Sequence, residues 1–201
     1  MFVVLDGIDG CGKTTQAARL AETLRAESSR ETLHLREPGS TRLGETLRGL
    51  LLDPELEMSP AVETLLFAAA RRQMLDEIVA PALARGASVV VERFHASTFA
   101  YQAAAGGLAE EDVLRLLERF AGSPRPDLVL VLDLPPEVAR ERASARARSD
   151  RIEAKGLEFQ KKVARGFLRY AELAKDVVLV DARGSEDAVA ERILREVRRA
   201  T

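Results

Sequence analysis

Near its N-terminus the chain carries Gly7-Ile8-Asp9-Gly10-Cys11-Gly12-Lys13-Thr14, which has the glycine, lysine and threonine spacing of a P-loop. An apolar run at 2–6 precedes it and is expected to form a strand, and apolar residues at helical spacing follow over 13–27. Glycines let backbone N–H groups turn inward around phosphate oxygens, and the start of a helix adds partial positive charge. The stretch therefore predicts a binding site for nucleotide phosphates.

Two side chains of this loop have expected tasks. Lys13 reaches the β- and γ-phosphates, and the Thr14 hydroxyl is a ligand for Mg²⁺. The positive surroundings could activate the thiol of Cys11, although a small residue that simply fits the loop is the plainer interpretation. The residues expected to bind ATP here are Gly7, Ile8, Asp9, Gly10, Cys11, Gly12, Lys13, Thr14 and Thr15.

Beyond the P-loop, apolar strand-like runs alternate with segments of helical periodicity. Strands are expected at 32–36, 87–91, 128–132 and 177–180, and helices at 42–51, 60 to about 84, 109–120, 135–147, 157–174 and 185–199. Pro81 is expected to distort the long helix or end it early. This alternation predicts a parallel sheet covered on both faces, and thus one three-layer α/β/α domain over residues 1–201.

The composition excludes several classes of protein. The 201 residues have a net charge of -2, which argues against a dedicated nucleic-acid or membrane-surface binder. A single cysteine cannot form an internal disulfide. The start of the chain has no basic region before an apolar run, and no stretch is long and apolar enough for a membrane span, so we expect a cytoplasmic protein.

A P-loop alone does not distinguish kinases from GTPases or ATPases. The chain has no guanine-specifying Asn-Lys-x-Asp sequence, and it is short for a motor or transporter ATPase. Its scattered arginines favour a kinase, because a kinase must neutralise the phosphates of two substrates at once.

Four further segments resemble thymidylate kinases of the bacterial type. They are Arg36-Glu37-Pro38-Gly39-Ser40-Thr41, Leu66-Phe67-Ala68-Ala69-Ala70-Arg71, Glu92-Arg93-Phe94-His95-Ala96-Ser97-Thr98-Phe99-Ala100-Tyr101-Gln102 and Asp150-Arg151-Ile152-Glu153. The resemblance implies a P-loop NTPase fold like that of nucleoside-monophosphate kinases. It also implies Mg²⁺-dependent phosphorylation of dTMP to dTDP by ATP, in dTTP biosynthesis, by a homodimer whose helices pack face to face.

The resemblance implies roles for the residues of a base pocket. Arg71 would hydrogen-bond the thymine edge, and Phe67 would stack on the ring. Gln102 and Ser97 would line the pocket, and Tyr101 would crowd the sugar 2′ position and so favour deoxyribose. Without the resemblance, Phe67 would be interpreted as a core residue and Arg71 as a solvated helix residue.

Other residues would hold the acceptor's phosphate and sugar. By the same resemblance, Arg48 and Arg93 would grip the acceptor phosphate, with Glu37 nearby. Asp9 would meet the sugar 3′-hydroxyl and help to hold the acceptor against the γ-phosphate.

An arginine-rich stretch over about 142–156 is expected to form a mobile lid, although a solvated helix face is the usual meaning of such a run. The resemblance implies that Arg142 stacks on adenine. Gly10, directly after Asp9, resembles the branch of the family that supplies catalytic charge from the lid. The catalytic set is then expected to be Asp9, Lys13, Arg93, Arg146, Arg148 and Arg151.

The chain departs from the family pattern at Glu92, where Asp is usual, and at Phe94, where Tyr or His is common. Glu92 keeps the charge and is expected to join Thr14 in holding Mg²⁺, directly or through water. Glu-Arg at this point also occurs in deoxynucleoside kinases, in which the Glu is a base. Those enzymes, another nucleoside-monophosphate kinase and a nucleotide-dependent regulator without transferase activity are the alternatives.

Overall fold

A five-stranded parallel sheet forms the centre of the computed structural model, which describes residues 1–28, 30–144, 151–152 and 155–200. The strands are β1 (Phe2–Gly7), β2 (Thr32–Arg36), β3 (Ser88–Glu92), β4 (Leu128–Asp133) and β5 (Val177–Asp181), in the order β2-β3-β1-β4-β5. Every neighbouring pair runs parallel. The predicted α/β class is confirmed.

The apolar run of β1 lies in the middle of the sheet. Val4 pairs with Val91 on one side and with Val129 on the other. Val3, Val4 and Leu5 are fully buried. Because helices cover both faces of such a sheet, its central strand is apolar throughout rather than alternating.

Nine α-helices lie between and after the strands within the described residues. They are α1 (Lys13–Glu27), α2 (Arg42–Leu52), α3 (Pro60–Met74), α4 (Ala80–Ala84), α5 (His95–Thr98), α6 (Glu110–Ala121), α7 (Pro136–Ser144), α8 (Gly156–Leu173) and α9 (Glu186–Ala200). The start of α3 is encoded locally, because the Ser59 hydroxyl accepts a hydrogen bond from Val62 N and Pro60 occupies the first turn. In the described part of the chain, no helix is long and apolar enough to cross a bilayer.

Two helical stretches widen into π-helix. Leu75–Val79 lies between α3 and α4, so the chain stays helical to Ala84 and Pro81 distorts the helix without ending it early. A proline cannot donate to the carbonyl of the preceding turn, and wider turns are one way to relieve that conflict. The second π segment, Phe99–Ala104, directly follows α5. The sequence predicted neither of the two π segments, and it did not predict α5.

Helix α8 packs closely on the second π segment. A Cβ added at Gly166 would lie 2.7 Å from the Cβ of Ala104 and 2.8 Å from the Cα of Ala100. The Tyr101 ring meets Phe167 of α8 edge-on, with 6.3 Å between centroids. This contact fixes the segment that carries Tyr101 into the cavity described next.

Candidate active site

A cavity of about 540 Å³ opens at the carboxyl edge of the sheet, where the P-loop follows β1. Ligands of open α/β sheets bind at this edge. The P-loop side contributes Asp9, Gly10, Gly12, Lys13 and Thr14. The rest of the lining includes the other residues predicted to bind the acceptor or the metal, namely Glu37, Arg48, Phe67, Arg71, Glu92, Arg93, Ser97, Tyr101 and Gln102. Sequence positions far apart therefore converge on one space.

The Lys13 ammonium folds back over its own loop. Its Nζ donates to the carbonyl oxygens of Gly7, at 3.0 Å, and Ile8, at 2.7 Å, and lies 3.8 Å from the Cys11 sulfur. Burial raises the pKa of the Cys11 thiol although the charge of Lys13 lowers it, so the thiol stays protonated. Cys11 thus fills space under the loop, which favours the plainer of its two interpretations.

Gly10 accounts for one feature of the loop. Its φ is +82°, and a Cβ there would lie 2.1 Å from the carbonyl oxygen of Ala139 in α7. A side chain at this position would strain the backbone and collide with α7. The loop therefore has room for no basic residue after Asp9.

Asp9 and Arg93 form an ion pair at the cavity wall, and the Tyr101 hydroxyl donates to the second oxygen of Asp9 at 2.8 Å. Burial and the Asp9 carboxylate raise the pKa of Tyr101 well above its usual value, so the phenol remains a hydrogen-bond donor. Arg93 has a φ of +66°, an uncommon conformation for a residue with a side chain. Such conformations cluster at functional sites.

Asp6, at the end of β1, was not among the predicted residues. Its Oδ1 accepts from Gly7 N (3.0 Å) and Ser97 Oγ (2.5 Å), and its Oδ2 accepts from Phe94 N (2.9 Å) and Ser97 N (3.0 Å). The carboxylate is fully buried. It ties the start of the P-loop to the segment after β3, and so sets where Arg93 stands.

Glu92 is held from two sides. Thr14 Oγ1 donates to its Oε2 at 2.6 Å, and His34 Nε2 lies 2.9 Å from its Oε1. Burial raises the pKa of Glu92, but the hydrogen bonds from His34 and Thr14 and the charge of Lys13 outweigh it and bring the pKa below its usual value. Glu92 is thus an ionised carboxylate beside the Thr14 hydroxyl.

This pair of oxygens suits Mg²⁺. Mg²⁺ takes hard oxygen ligands, and it commonly has one or two from the protein with the remainder from phosphates and water. Within the described residues no group of three or more His, Cys, Asp or Glu side chains could hold a metal by itself. The Glu92 carboxylate and the Thr14 hydroxyl therefore fit an ion that takes its remaining ligands from phosphates and water.

Arg71 and Glu37 form a buried ion pair. Arg71 Nε donates to Glu37 Oε2 at 2.6 Å, and Arg71 Nη2 donates to Thr98 Oγ1 at 3.2 Å. Arg71 Nη1 and Glu37 Oε1 have no partner among the described residues. Burial raises the pKa of Glu37 to about 7 although the charge of Arg71 lowers it. Unpaired buried polar atoms are costly, so a donor and an acceptor are held ready for a ligand in the cavity.

Sequence comparisons agree with this geometry. Residues 5–193 match the family model described as thymidylate kinase. A thymidylate kinase of Pseudomonas fluorescens (strain Pf0-1) is 48% identical over 173 residues, which is 86% of this chain and 82% of the relative. One of Synechococcus sp. (strain JA-2-3B'a(2-13)) is 46% identical over 196 residues, covering 96% and 92%. The chain belongs to the thymidylate kinase family. It is therefore a P-loop kinase with ATP as its phosphoryl donor.

The predicted thymidylate-kinase lid is described only at its ends. Arg146 and Arg148 lie outside the described residues. Arg142 is exposed, and its Nη1 lies 3.5 Å from the carbonyl oxygen of Ala182 after β5. Arg151 Nη1 donates to Glu63 at 2.6 Å, and its other nitrogens donate to the carbonyl of Leu51. Its predicted catalytic role stays a prediction.

The other predicted ATP-binding residues do not line the cavity and differ in their exposure. Thr15 is exposed at the start of α1, whereas Gly7, Ile8 and Cys11 are buried beneath the loop. Three polar residues that position the site, Asp6, His34 and Glu63, were missed by sequence reasoning. Apart from Gly7, which is adjacent to Asp6, their partners lie 39 to 92 residues away along the chain, so no local pattern could have revealed them.

Proposed function

We propose that this chain phosphorylates dTMP to dTDP by binding dTMP in the part of the cavity near α3 and ATP at the P-loop. One observation carries the proposal: a single cavity is lined both by Lys13 and Thr14 and by Phe67 and Arg71. Two substrates bound in one cavity can meet in line, and proximity of this kind contributes much of the rate of phosphoryl transfer.

In the acceptor half, we assign thymine recognition to Arg71, Phe67 and Gln102. The Nη1 of Arg71, which meets no acceptor in the described part of the chain, is a donor suited to a base carbonyl. Arg48 and Arg93 would hold the acceptor phosphate, with Asp9 at the sugar. Arg48 Nη1 donates to the carbonyl oxygen of Pro38 at 3.1 Å, which supports its place beside the loop after β2.

In the donor half, the P-loop N–H groups and Lys13 would hold the phosphates of ATP. Lys13 would exchange its contacts with the loop carbonyls for phosphate oxygens, which are stronger partners for an ammonium. Thr14 and Glu92 would hold Mg²⁺. The ion, when bound, supplies positive charge to the β- and γ-phosphate oxygens.

The acceptor needs no general base. Its phosphate has a second pKa near 6, so it is largely a dianion at neutral pH. Glu92, with a lowered pKa and with both oxygens engaged, is poorly suited to take a proton from a sugar hydroxyl. This favours a monophosphate acceptor over a nucleoside acceptor.

A coupled assay of diphosphate production tests the proposal. Purified protein, Mg²⁺ and ATP would be supplied with dTMP, dUMP, UMP, CMP, AMP, GMP and thymidine in turn. We expect dTMP to be preferred, with dUMP as a slower acceptor because one methyl group is worth only ~1–3 kcal/mol. Activity on thymidine alone would indicate a nucleoside kinase, and silence with ATP still bound would indicate a regulator.

We further propose a cytoplasmic homodimer that packs through α3. Val62, Leu65 and Ala69 form one exposed apolar stripe of this helix, and Leu65 is 57% exposed. Leu43 and Leu50 of the neighbouring α2 are also exposed. An apolar surface of this kind on a small protein is typical of a subunit interface.

A further inference from the structure

Glu63 is a buried carboxylate whose hydrogen-bond partners lie on other elements of the fold. It lies in the first turn of α3 with 1% of its surface exposed. The Ser59 hydroxyl already caps this helix through Val62 N. A buried charge is costly unless other groups compensate it, so the partners of Glu63 on other elements must account for its position.

Those partners come from two other parts of the chain. Gln102 Nε2 donates to Oε2 at 3.0 Å, and Arg151 Nη1 donates to Oε1 at 2.6 Å. Lys155 Nζ lies 3.3 Å from the same Oε1. Burial raises the pKa of Glu63, but the hydrogen bonds from Gln102 and Arg151 outweigh it and lower the pKa, so the carboxylate is ionised.

The two sets of donors meet the same cavity. Gln102 is 1% exposed and lines the cavity from the second π segment. Ile152, directly after Arg151, is 8% exposed and lines it as well. Glu63 is thus placed where the wall of the acceptor pocket meets the segment around Arg151.

Glu63 also fixes the orientation of the Gln102 amide. A carboxylate accepts hydrogen bonds and cannot donate them, so the nitrogen of the amide must face Glu63 and its oxygen must face away. Arg151 is fixed in a similar way, because its Nε and Nη2 both donate to the Leu51 carbonyl, at 3.0 and 2.9 Å, while Nη1 holds Glu63.

We propose that Glu63 is a positioning residue, which holds Gln102 and Arg151 in a fixed relation and so couples acceptor binding to the placement of Arg151. This rests on the proposed function, because it takes dTMP as the molecule that Gln102 meets. A ligand that moves or orders Gln102 would, through the shared carboxylate, change the energy of the Arg151 contact. Arg151 then acts at least in part through Glu63.

The first test is Glu63→Gln in the full-length protein. The variant keeps the shape of the side chain but loses its charge and one acceptor oxygen, so it cannot hold both partners. We expect kcat to fall about tenfold, which is equivalent to ~1.4 kcal/mol of barrier. KM for dTMP should rise, while KM for ATP should stay unchanged. Unchanged kcat and KM for dTMP would overturn the proposal.

A matched control is available on the same helical run. Gln73 Nε2 donates to Glu77 Oε2 at 2.9 Å, which repeats the Gln102–Glu63 contact at an exposed position. Glu77→Gln should leave all three kinetic constants unchanged. If Glu63→Gln does not fold, Glu63→Asp provides a second test, because it retains the charge at a shorter reach. It should likewise raise KM for dTMP and lower kcat while leaving KM for ATP unchanged.

A double-mutant cycle tests the coupling itself. Gln102→Ala and Arg151→Gln would be measured singly and together, first in the wild-type background and then in the Glu63→Gln background. We expect their effects on KM for dTMP to be non-additive with Glu63 and additive without it. Additive effects in both backgrounds would contradict the proposal. If the wild-type protein does not phosphorylate dTMP, the proposed function itself fails, which is a separate result.

Discussion

Asp6 shows how one buried side chain can organise two loops. Its four hydrogen bonds come from the backbone of the P-loop and from the segment after β3. Asp6→Asn would place an amide nitrogen against these donors, so the free energy of unfolding should fall by about 3 kcal/mol. Urea denaturation would measure this change in the free energy of unfolding. Asp127→Asn is the control, because exposed Asp127 accepts one such bond, from Phe2 N, and should lose less than about 1 kcal/mol.

His95 should make the fold sensitive to acid. It stacks on Phe94 and its Nε2 lies 3.0 Å from the carbonyl oxygen of Ala121, and burial lowers its pKa to about 3. Between that pKa and the ordinary value of 6.5, the unfolded chain binds a proton that the folded chain does not. Stability should therefore fall as pH drops below about 6, by up to ~1.4 kcal/mol per pH unit.

Thermal unfolding between pH 7 and pH 4 would measure this effect. The His95→Gln variant can still donate to Ala121 but does not titrate, so its stability should depend less on pH over that range. The prediction is wrong if both proteins lose stability at the same rate on acidification. Carboxylates also titrate over this range in both proteins. The test is therefore the difference between the two proteins in the slope of stability against pH, not either slope alone.

At the scale of elements, the sequence could predict what is encoded locally. The cap at Ser59, the acidic first turn of α6 and the apolar run of β4 each produced an element within a few residues of its expected bounds. Helix α5 and the π segment after it were missed. The N-cap residue of α5, Phe94, has no side chain that can cap it, and the amides at its start donate instead to Asp6 of β1, far away in the sequence.

The candidate site also contains residues that the sequence could predict and residues that it could not. The residues of the P-loop and of the family segments line one cavity, because parallel strands bring their carboxyl ends to one edge. The residues that position these side chains could not be predicted. Glu63 and Arg151 are 88 residues apart, and His34 and Glu92 are 58 apart, so their pairing depends on the order of strands and on helix packing, which no local pattern contains.

The close contact of α8 with the second π segment carries a prediction for Gly166. Alanine in a helix interior is normally favoured over glycine by up to ~1 kcal/mol. At Gly166 the added Cβ would meet Ala100 and Ala104, so Gly166→Ala should instead destabilise by ~1–3 kcal/mol and raise KM for dTMP through Tyr101 and Gln102.

Gly49 of α2 provides the control for that variant. A Cβ at Gly49 meets no described residue within 4 Å, so Gly49→Ala should leave KM unchanged and should not lower the melting temperature. Calorimetry and steady-state kinetics on both variants would check the pair. Equal effects at the two glycines would show that the α8 contact does not position the acceptor pocket.

At the scale of the whole molecule, the strand order explains why the site lies where it does. β1 is central, and the chain leaves it first toward β2 and β3 and later toward β4 and β5. A crevice forms outside the carboxyl end of a strand where the connections diverge in this way. The P-loop occupies that crevice, and α3 closes its acceptor side with Phe67 and Arg71.

Helix α3 thus has two faces with different expected tasks, one toward the cavity and one toward a second copy of the chain. Leu65→Glu would place a charge in the exposed apolar stripe, so the protein should become monomeric in size-exclusion chromatography with light scattering. Leu173→Glu, at an exposed leucine of α8, should leave the mass unchanged. Because the interface supports the helix that carries Phe67 and Arg71, the monomer should also show a higher KM for dTMP. A wild-type protein that is monomeric at micromolar concentration would contradict the proposed dimer, and a dimer that survives Leu65→Glu would place its interface elsewhere.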